Sequence, residues 1–359
     1  MDSKKIKINL MNSSNTKLRA GPKVFMDRLT NDLKHKRYLS KEKYDVWLNL
    51  SFKKFPSNLN ENIKYITRFD GVLAYDFFKK DSFFYPKYIG SILNNFVRSK
   101  MNEVLTQNYK KSNGIIYQSV FSKNMVEKHI SEGVFKPNCI IPNGVDIDLF
   151  TPRRIKKSKT INILISHKFW PIKRFDQIPS IIKTLKNKGF NVNVNVLGDG
   201  LINPIYIHDT LNYFKKIVRE NDLDKSFNFY GHISPSKLPE LYQRNHIMLN
   251  LSFADPCPNV VIEAMACGLP VVAPNHGGIP ELVLNKDLLI DENIDPLLIH
   301  HMWDYDTLPK VNSVDYANKI IDVYENIRNL SLEMRSNVEM SFDIKSISNR
   351  YIDFMTRFI

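Results

Sequence analysis

The chain has 359 residues, 43% of them apolar, which excludes general disorder and is enough for two packed cores. Its formal net charge is +14, and residues 1–150 carry 26 Lys and Arg against 14 Asp and Glu, so +12 of the excess lies in that stretch. Three cysteines, Cys139, Cys257 and Cys267, have no metal-ligand spacing and cannot all pair, which fits a reducing compartment.

In chain order, "KIKINLMNS" reads as a first strand, and "GPKVFMDRLTNDLKHK" follows with Val24, Phe25, Leu29 and Leu33 at helical spacing. "DVWLNLS" and "IKYITRF" read as strands, and "YIGSILNNFVRSKMNEVLTQNYKK" as a long helix. "GIIYQSV" and "NCIIPN" are strands separated by the helix "SKNMVEKHIS". The alternation restarts after the charged "TPRRIKKSKT", with strands "INILIS", "VNVNVLG", "FNFYGH", "HIMLNLS" and "PVVAP". Helices around "FDQIPSIIKTLKNKG", "LNYFKKIVREND", "LPELYQRN" and "NVVIEAMACG" separate them, and from Val314 on only helices are expected. Strands alternating with helices at this period mean βαβ units and parallel sheets.

The expected fold is α/β, two Rossmann-like doubly wound domains facing a cleft, with C-terminal helices. The boundaries are 1–150 for an acceptor-side domain, 151–330 for a nucleotide-sugar-binding domain, and 331–359 for helices that pack back on the first domain. Ligands in such sheets bind beyond the carboxyl ends of the strands, where amides and helix N-termini face the crevice. No window approaches 18 apolar residues, and the run in "MDSKKIKINLMNSS" is too short for a signal peptide. The expected location is cytoplasmic, with peripheral attachment to a membrane as a variant. The basic first half suits an anionic partner such as a membrane surface, a phosphorylated substrate or nucleic acid. A Lys- and Asn-rich solvated surface is the plainer alternative.

The stretch "DPCPNVVIEAMACGLPVVAPNHGGIPELV" concentrates the chemistry. Pro256, Pro258 and Asn259 mark a helix start, which puts Asp255 in the loop before it and Glu263 about one turn inside. Both lie at the loop end of "IMLNLS", where amides at Asn259, Val260 and Val261 face an anion and a carboxylate can grip hydroxyls of a ribose or sugar. Gly277 and Gly278 bring backbone close to a ligand, with Glu281 beyond them. The competing reading is a capped helix with Glu263 on its solvent face. His276 is given a surface role.

These residues resemble the C-terminal signature of retaining glycosyltransferases of family 4, which have the GT-B fold. That family usually shows Glu-x7-Glu; here the pair is Asp255 and Glu263, one methylene shorter at the first position. The resemblance extends through "IIPNGVDIDLF", "INILISHKFWPIKRFDQI", "VNVNVLGDG" and "FNFYGHISPSKLPELYQRNHIMLNLS". It implies that Glu263 binds ribose hydroxyls and that Asp255 contacts the donor sugar. Lys173 matches the lysine that holds the donor diphosphate; the family's arginine has no clear counterpart, and Lys168 is nearest by spacing. Cations after a strand can neutralise charge developing on a departing nucleoside diphosphate. Donor binding is thus assigned to Lys168, Lys173, Gly198, Asn259, Val260, Glu263, Gly277 and Gly278, and catalysis to Asp255, Lys173 and Asp70. No cofactor or metal is expected beyond the nucleotide-sugar substrate.

The first 140 residues match thinly, through "RAGPKVFMDRL" and "GIIYQSVFSK". Gly21 then approaches phosphates or acceptor. The His that many members place in the first domain is absent, and "ITRFDGV" stands in its place. Asp70 either takes a polar role near the reacting sugar or caps the turn before Gly71. Arg68 either holds a phosphate or acceptor or pairs with Asp70. Ser119 either faces the ligand or caps the next helix.

The expectation is a hexosyltransferase-type enzyme moving a sugar from a nucleotide-diphosphate donor to a glycan, lipid or small-molecule acceptor, with retention and without metal. The alternatives are a UDP-sugar 2-epimerase-like enzyme and a degenerate, non-catalytic anion-binding protein. No helix-turn-helix, RNP-type or zinc pattern supports specific nucleic-acid readout.

Overall fold

The computed structural model describes residues 5–10, 21–71, 102–200, 210–298 and 308–359. The glycine loop before Gly21 and the first part of the long helix therefore lie outside the described residues. The first series runs β1 (Ile8–Leu10), α1 (Gly21–His35), β2 (Val46–Leu50), β3 (Lys64–Phe69), α2 (102–111), β4 (Gly114–Tyr117), α3 (Val120–His129) and β5 (Asn138–Ile140). The second opens with β6 (Thr160–Ser166), α4 (Ile178–Asn187), β7 (Asn191–Leu197), α5 (Thr210–Glu220) and β8 (Phe227–Gly231). It continues through α6 (Leu238–Gln243), β9 (Ile247–Leu249), α7 (Asn259–Ala266), β10 (Val271–Pro274), α8 (Ile279–Leu282) and β11 (Leu289–Ile290). Three helices close the chain: α9 (Ser313–Glu325), α10 (Ile327–Ser341) and α11 (Ile344–Thr356).

The chain divides into two compact units, one of residues 1–146 with 341–359 and one of residues 147–340. In the first, the described residues form five parallel strands in the order β1-β2-β3-β4-β5. Phe25, Met26, Leu29 and Leu33 recur at helical spacing on α1 and are buried with Ile347, Tyr351 and Met355 of α11. Burying one such side chain contributes roughly 1.5–3 kcal/mol, so this shared core ties the chain's end to its beginning. Gly144 allows the join, because a Cβ there would stand 3.0 Å from Ile344 Cα.

The described residues of the second unit form six parallel strands in the order β11-β10-β9-β6-β7-β8. The direction of winding reverses between β6 and β9. The loops leaving these neighbours part in opposite directions and open a crevice at their carboxyl ends. β9 and β10 are buried throughout, as near-continuous apolar runs in a covered parallel sheet should be. The short β11 and the one-turn α8 have no periodic pattern to announce them.

Candidate functional site

Four loops of the second unit meet at these carboxyl ends. The first, after β6, carries His167, Lys168 and Lys173. It follows β7 closely: His167 N–H donates to Leu197 O at 3.1 Å and Phe169 N–H to Asp199 O at 3.2 Å. Gly198 makes that approach possible. Its φ is +121°, and a Cβ would fall 1.7 Å from the His167 carbonyl oxygen, so no other residue fits. Lys168 is half-buried on the same loop.

The loop after β9 delivers Asp255. Phe253 N–H donates to Ile172 O at 2.8 Å, which sets the two loops side by side. Lys173 Nζ then forms a short ion pair with Asp255 Oδ2, and both side chains remain partly accessible, at 18% and 16%. Asp255 Oδ1 accepts from Cys257 N–H at 3.2 Å, which orients the carboxylate. The glycine loop after β10 presses on the same residue: Gly278 N–H donates to Asp255 O at 2.9 Å. A Cβ on Gly277 would stand 3.0 Å from that oxygen, at a φ of +68°.

Asn259 and Val260 begin α7, whose N-terminus has no side-chain cap. Glu263 lies one turn in and is 4% exposed, which excludes a solvent-facing position. The Tyr242 hydroxyl donates to Glu263 Oε2 at 3.0 Å and lies 3.1 Å from Ser166 Oγ. Burial, then the nearby Glu263 charge, pushes the Tyr242 hydroxyl pKa well up, so it stays a donor. Glu263 is thus held by Tyr242 of α6, whose hydroxyl is in turn set by Ser166 at the end of β6.

The residue after Lys173 goes elsewhere. Arg174 adopts φ +49° and ψ 33°, which turns its side chain into the core at 0% exposure. Its guanidinium meets Glu292 through two bonds, Nη1 to Oε2 at 2.8 Å and Nη2 to Oε1 at 3.1 Å. Tyr316 donates to Glu292 Oε1 at 2.7 Å, and His276 Nε2 lies 2.9 Å from Oε2. Burial raises the Glu292 pKa, but the His276 bond, the Arg174 charge and the Tyr316 bond outweigh it and hold it at about 2. The surface role expected for His276 is therefore wrong: it is 6% exposed, packed on Phe253 and tied to Glu292.

Sequence reasoning also passed over His167, which is 6% exposed and has no partner for Nε2 among the described residues. Burial, then the charge of Lys173, lowers its pKa well below the ordinary value, so the ring is neutral. Tyr242 and Ser166 were missed as well. Each lies far in sequence from Glu263, and no spacing rule connects them.

In the first unit, Arg68, Asp70 and Ser119 gather at the carboxyl ends of β3 and β4. Arg68 is fully buried, pairs with Asp70, donates to Asn143 and lies 4.4 Å from the Phe25 ring centroid. Gln118 donates to Asp70 Oδ1. Asp70 precedes Gly71, whose φ is +100°. Ser119 Oγ accepts from Ser122 N–H at 3.0 Å and caps α3. Gly21 is the first residue of α1 and is exposed. Asp146 and Asp148 have an Asp-x-Asp spacing, but among the described residues no three His, Cys, Asp or Glu side chains group to hold a metal ion. Among them, too, no helix is long and apolar enough to cross a membrane.

Comparison with known proteins adds a family-model match and a fold. Residues 147–301 match the model for glycosyl transferases group 1. The GPI3 component of the Saccharomyces cerevisiae phosphatidylinositol N-acetylglucosaminyltransferase is 24% identical over 264 residues, 66% of this chain and 56% of that one. A component of the corresponding human enzyme is 28% identical over 191 residues, 53% of this chain and 37% of that one. The chain thus spans between about a third and a little over half the length of these curated relatives. Among solved structures, Anabaena HepE in complex with UDP aligns with a TM-score of 0.67 at 15% identity, over 98% of this chain and 100% of that one. A Thermosynechococcus elongatus sucrose-phosphate synthase aligns at 0.62 and 16%, over 94% and 77%. The fold is that of the GT-B glycosyltransferases.

Proposed function

We propose that this chain, whose residues 147–301 match the model for glycosyl transferases group 1, transfers a hexose-type sugar from a nucleotide-diphosphate donor to a hydroxyl acceptor. The observation that carries this reading is the convergence of Lys173, Asp255 and Glu263 at the switch point between β6 and β9, with the glycine loop pressed on Asp255. Similar proteins support a UDP-sugar donor: HepE is described with UDP and with UDP-glucose, and the curated relatives as N-acetylglucosaminyltransferases.

The residues divide the work. Glu263, fixed by Tyr242, accepts hydrogen bonds from ribose hydroxyls. A diphosphate gives Lys173 a second anionic partner beside Asp255 and draws the ammonium toward the leaving group. The bond that breaks joins the anomeric carbon to the diphosphate oxygen and the electron pair departs with the diphosphate; the acceptor hydroxyl oxygen bonds to the anomeric carbon, and its proton passes to the departing diphosphate. Lys173, Lys168 and the amides at the start of α7 stabilise that charge. The freed Asp255 carboxylate accepts from a donor-sugar hydroxyl. Cations doing this work make a metal unnecessary. Retention follows the resemblance to family 4 and is part of the same proposal.

The acceptor belongs to the first unit in this reading, and a lipid-linked acceptor at a membrane face suits its charge. Thermal stabilisation by a panel of nucleoside diphosphates and nucleotide sugars is the test, with wild type beside Lys173→Ala and Glu263→Ala. A shift selective for uridine compounds and lost in both variants is expected. No shift with any nucleotide would overturn the reading. A UDP-sugar converted to its epimer without acceptor would replace it with a 2-epimerase.

A further inference from the structure

In a parallel sheet flanked by helices, the strands begin and the helices end at one edge. In the first unit, β4 and β5 begin there, just after α2 and α3 end. Between α3 and β5 the chain turns on Glu132 (φ +50°) and Gly133 (φ +78°) and presents Val134 and Phe135 to solvent, 44% and 80% exposed. The turn is held in place. Tyr109 donates to Val134 O at 2.9 Å, Lys136 Nζ to Lys110 O at 3.0 Å, and Lys110 pairs with Glu132 at 2.7 Å. Phe135 is thus displayed on a fixed corner.

The surroundings are basic. Residues 110–136 contain Lys110, Lys111, Lys123, Lys128 and Lys136 against Glu127 and Glu132, a net of +3. Both acids are matched within the group, Glu132 by Lys110 and Glu127 by Lys123 at 3.7 Å. The carbonyl ends of α2 and α3 favour lysines in their last turns, which accounts for the positions of Lys110, Lys111 and Lys128 by the helix dipole. They do not explain an exposed phenylalanine among them. An exposed apolar residue on a lysine-rich turn is the pattern of an interfacial anchor.

We propose that this corner docks on an anionic lipid bilayer, with Phe135 and Val134 entering the headgroup boundary and the lysines facing anionic headgroups. The sign of the charge selects the occupant: the net +3 of residues 110–136 complements an anionic leaflet and opposes a second copy of the same corner. The inference rests on the first unit's surface and stands apart from the glycosyl-transfer reading. The corner lies at the opposite edge of the sheet from Arg68, Asp70 and Ser119.

Flotation of the full chain with phosphatidylcholine vesicles, with and without phosphatidylglycerol, tests it. Wild type should float only with the anionic vesicles and be released by high salt. Phe135→Ala should lower partitioning roughly tenfold, and Lys111→Glu with Lys128→Glu at least as much. Phe135→Trp should show blue-shifted emission on anionic vesicles alone. Equal flotation of Phe135→Ala and wild type, or no flotation of wild type, would overturn the proposal. A concentration-dependent dimer abolished by Phe135→Ala would assign the corner to a second copy instead. Nucleotide-induced thermal shifts measured on the same variants should be unchanged, which separates failure here from failure of the donor site.

Discussion

Lys173 and Arg174 are neighbours in the chain and end in different surroundings. Lys173 reaches Asp255 where both side chains keep some access to water, at 18% and 16%. Arg174 reaches Glu292 where both are shut away, at 0% and 6%. The left-handed backbone at Arg174 makes the division, because it reverses the side chain's direction within one residue. A partly hydrated ion pair can exchange one partner for a ligand. A buried one that also satisfies His276 and Tyr316 cannot, since removing any charge leaves another unpaired in a medium of low dielectric. The first pair is suited to binding and the second to holding the loop that presents it.

The largest expected effect tests the buried pair. Glu292→Gln should cost about 3–5 kcal/mol by leaving the Arg174 guanidinium without its carboxylate, read in urea melts at neutral pH. The same pair sets an acid limb. Glu292 has its pKa lowered from 4.5 to about 2 on folding, so its contribution is full above 4.5 and is lost as pH falls toward 2. The stability of wild type should therefore drop more steeply than that of Glu292→Gln across this window. Parallel curves would remove the charge from the account.

Lys173→Ala comes next and should do the reverse. Transfer from a UDP-sugar should fall by about a hundredfold to a thousandfold, the range for losing one preorganised group that stabilises leaving charge. Stability should change by no more than about 1 kcal/mol, because the pair is partly hydrated. A melting loss as large as that of Glu292→Gln would erase the contrast between the two pairs.

Tyr242→Phe sharpens the picture around Glu263. Removing one hydroxyl from a fully buried ring should weaken nucleotide binding about fivefold to tenfold and cost about 1 kcal/mol of stability. Titration calorimetry beside thermal melts distinguishes the two. A loss of stability with nucleotide affinity intact would make Tyr242 packing alone. The smallest effect is expected in the first unit, where Ser119→Ala should cost about 1 kcal/mol through the lost cap on α3 and leave nucleotide affinity untouched. A change in acceptor or nucleotide binding would instead put Ser119 at a ligand.

Much of this was legible in the sequence, for local reasons. A strand or an amphipathic helix is written in periods of two or 3.6 residues, so "VNVNVLG" and "GPKVFMDRL" declared β7 and α1 without their partners. The placement of Asp255 and the glycine pair on the loops after β9 and β10, and of Glu263 one turn into α7, also followed from chain order, because parallel strands bring every second loop to one edge. Gly198 could be named from its position after a strand. Its reason, a carbonyl oxygen 1.7 Å from where a Cβ would be, required β6 beside it.

Tertiary structure decided which charges meet. Lys173 and Asp255 are 82 residues apart, Arg174 and Glu292 are 118 apart, and neither separation carries a signal. A cation read from sequence alone looks the same whether it faces a phosphate or a core carboxylate, so Arg174 was overlooked and His276 was placed on the surface. Burial and backbone handedness are settled only when distant segments pack, because desolvation depends on what covers a group and not on its neighbours in the chain. Sequence determined the fold class and the loops that bear the site. Packing determined which of the site's ionic side chains keep their water.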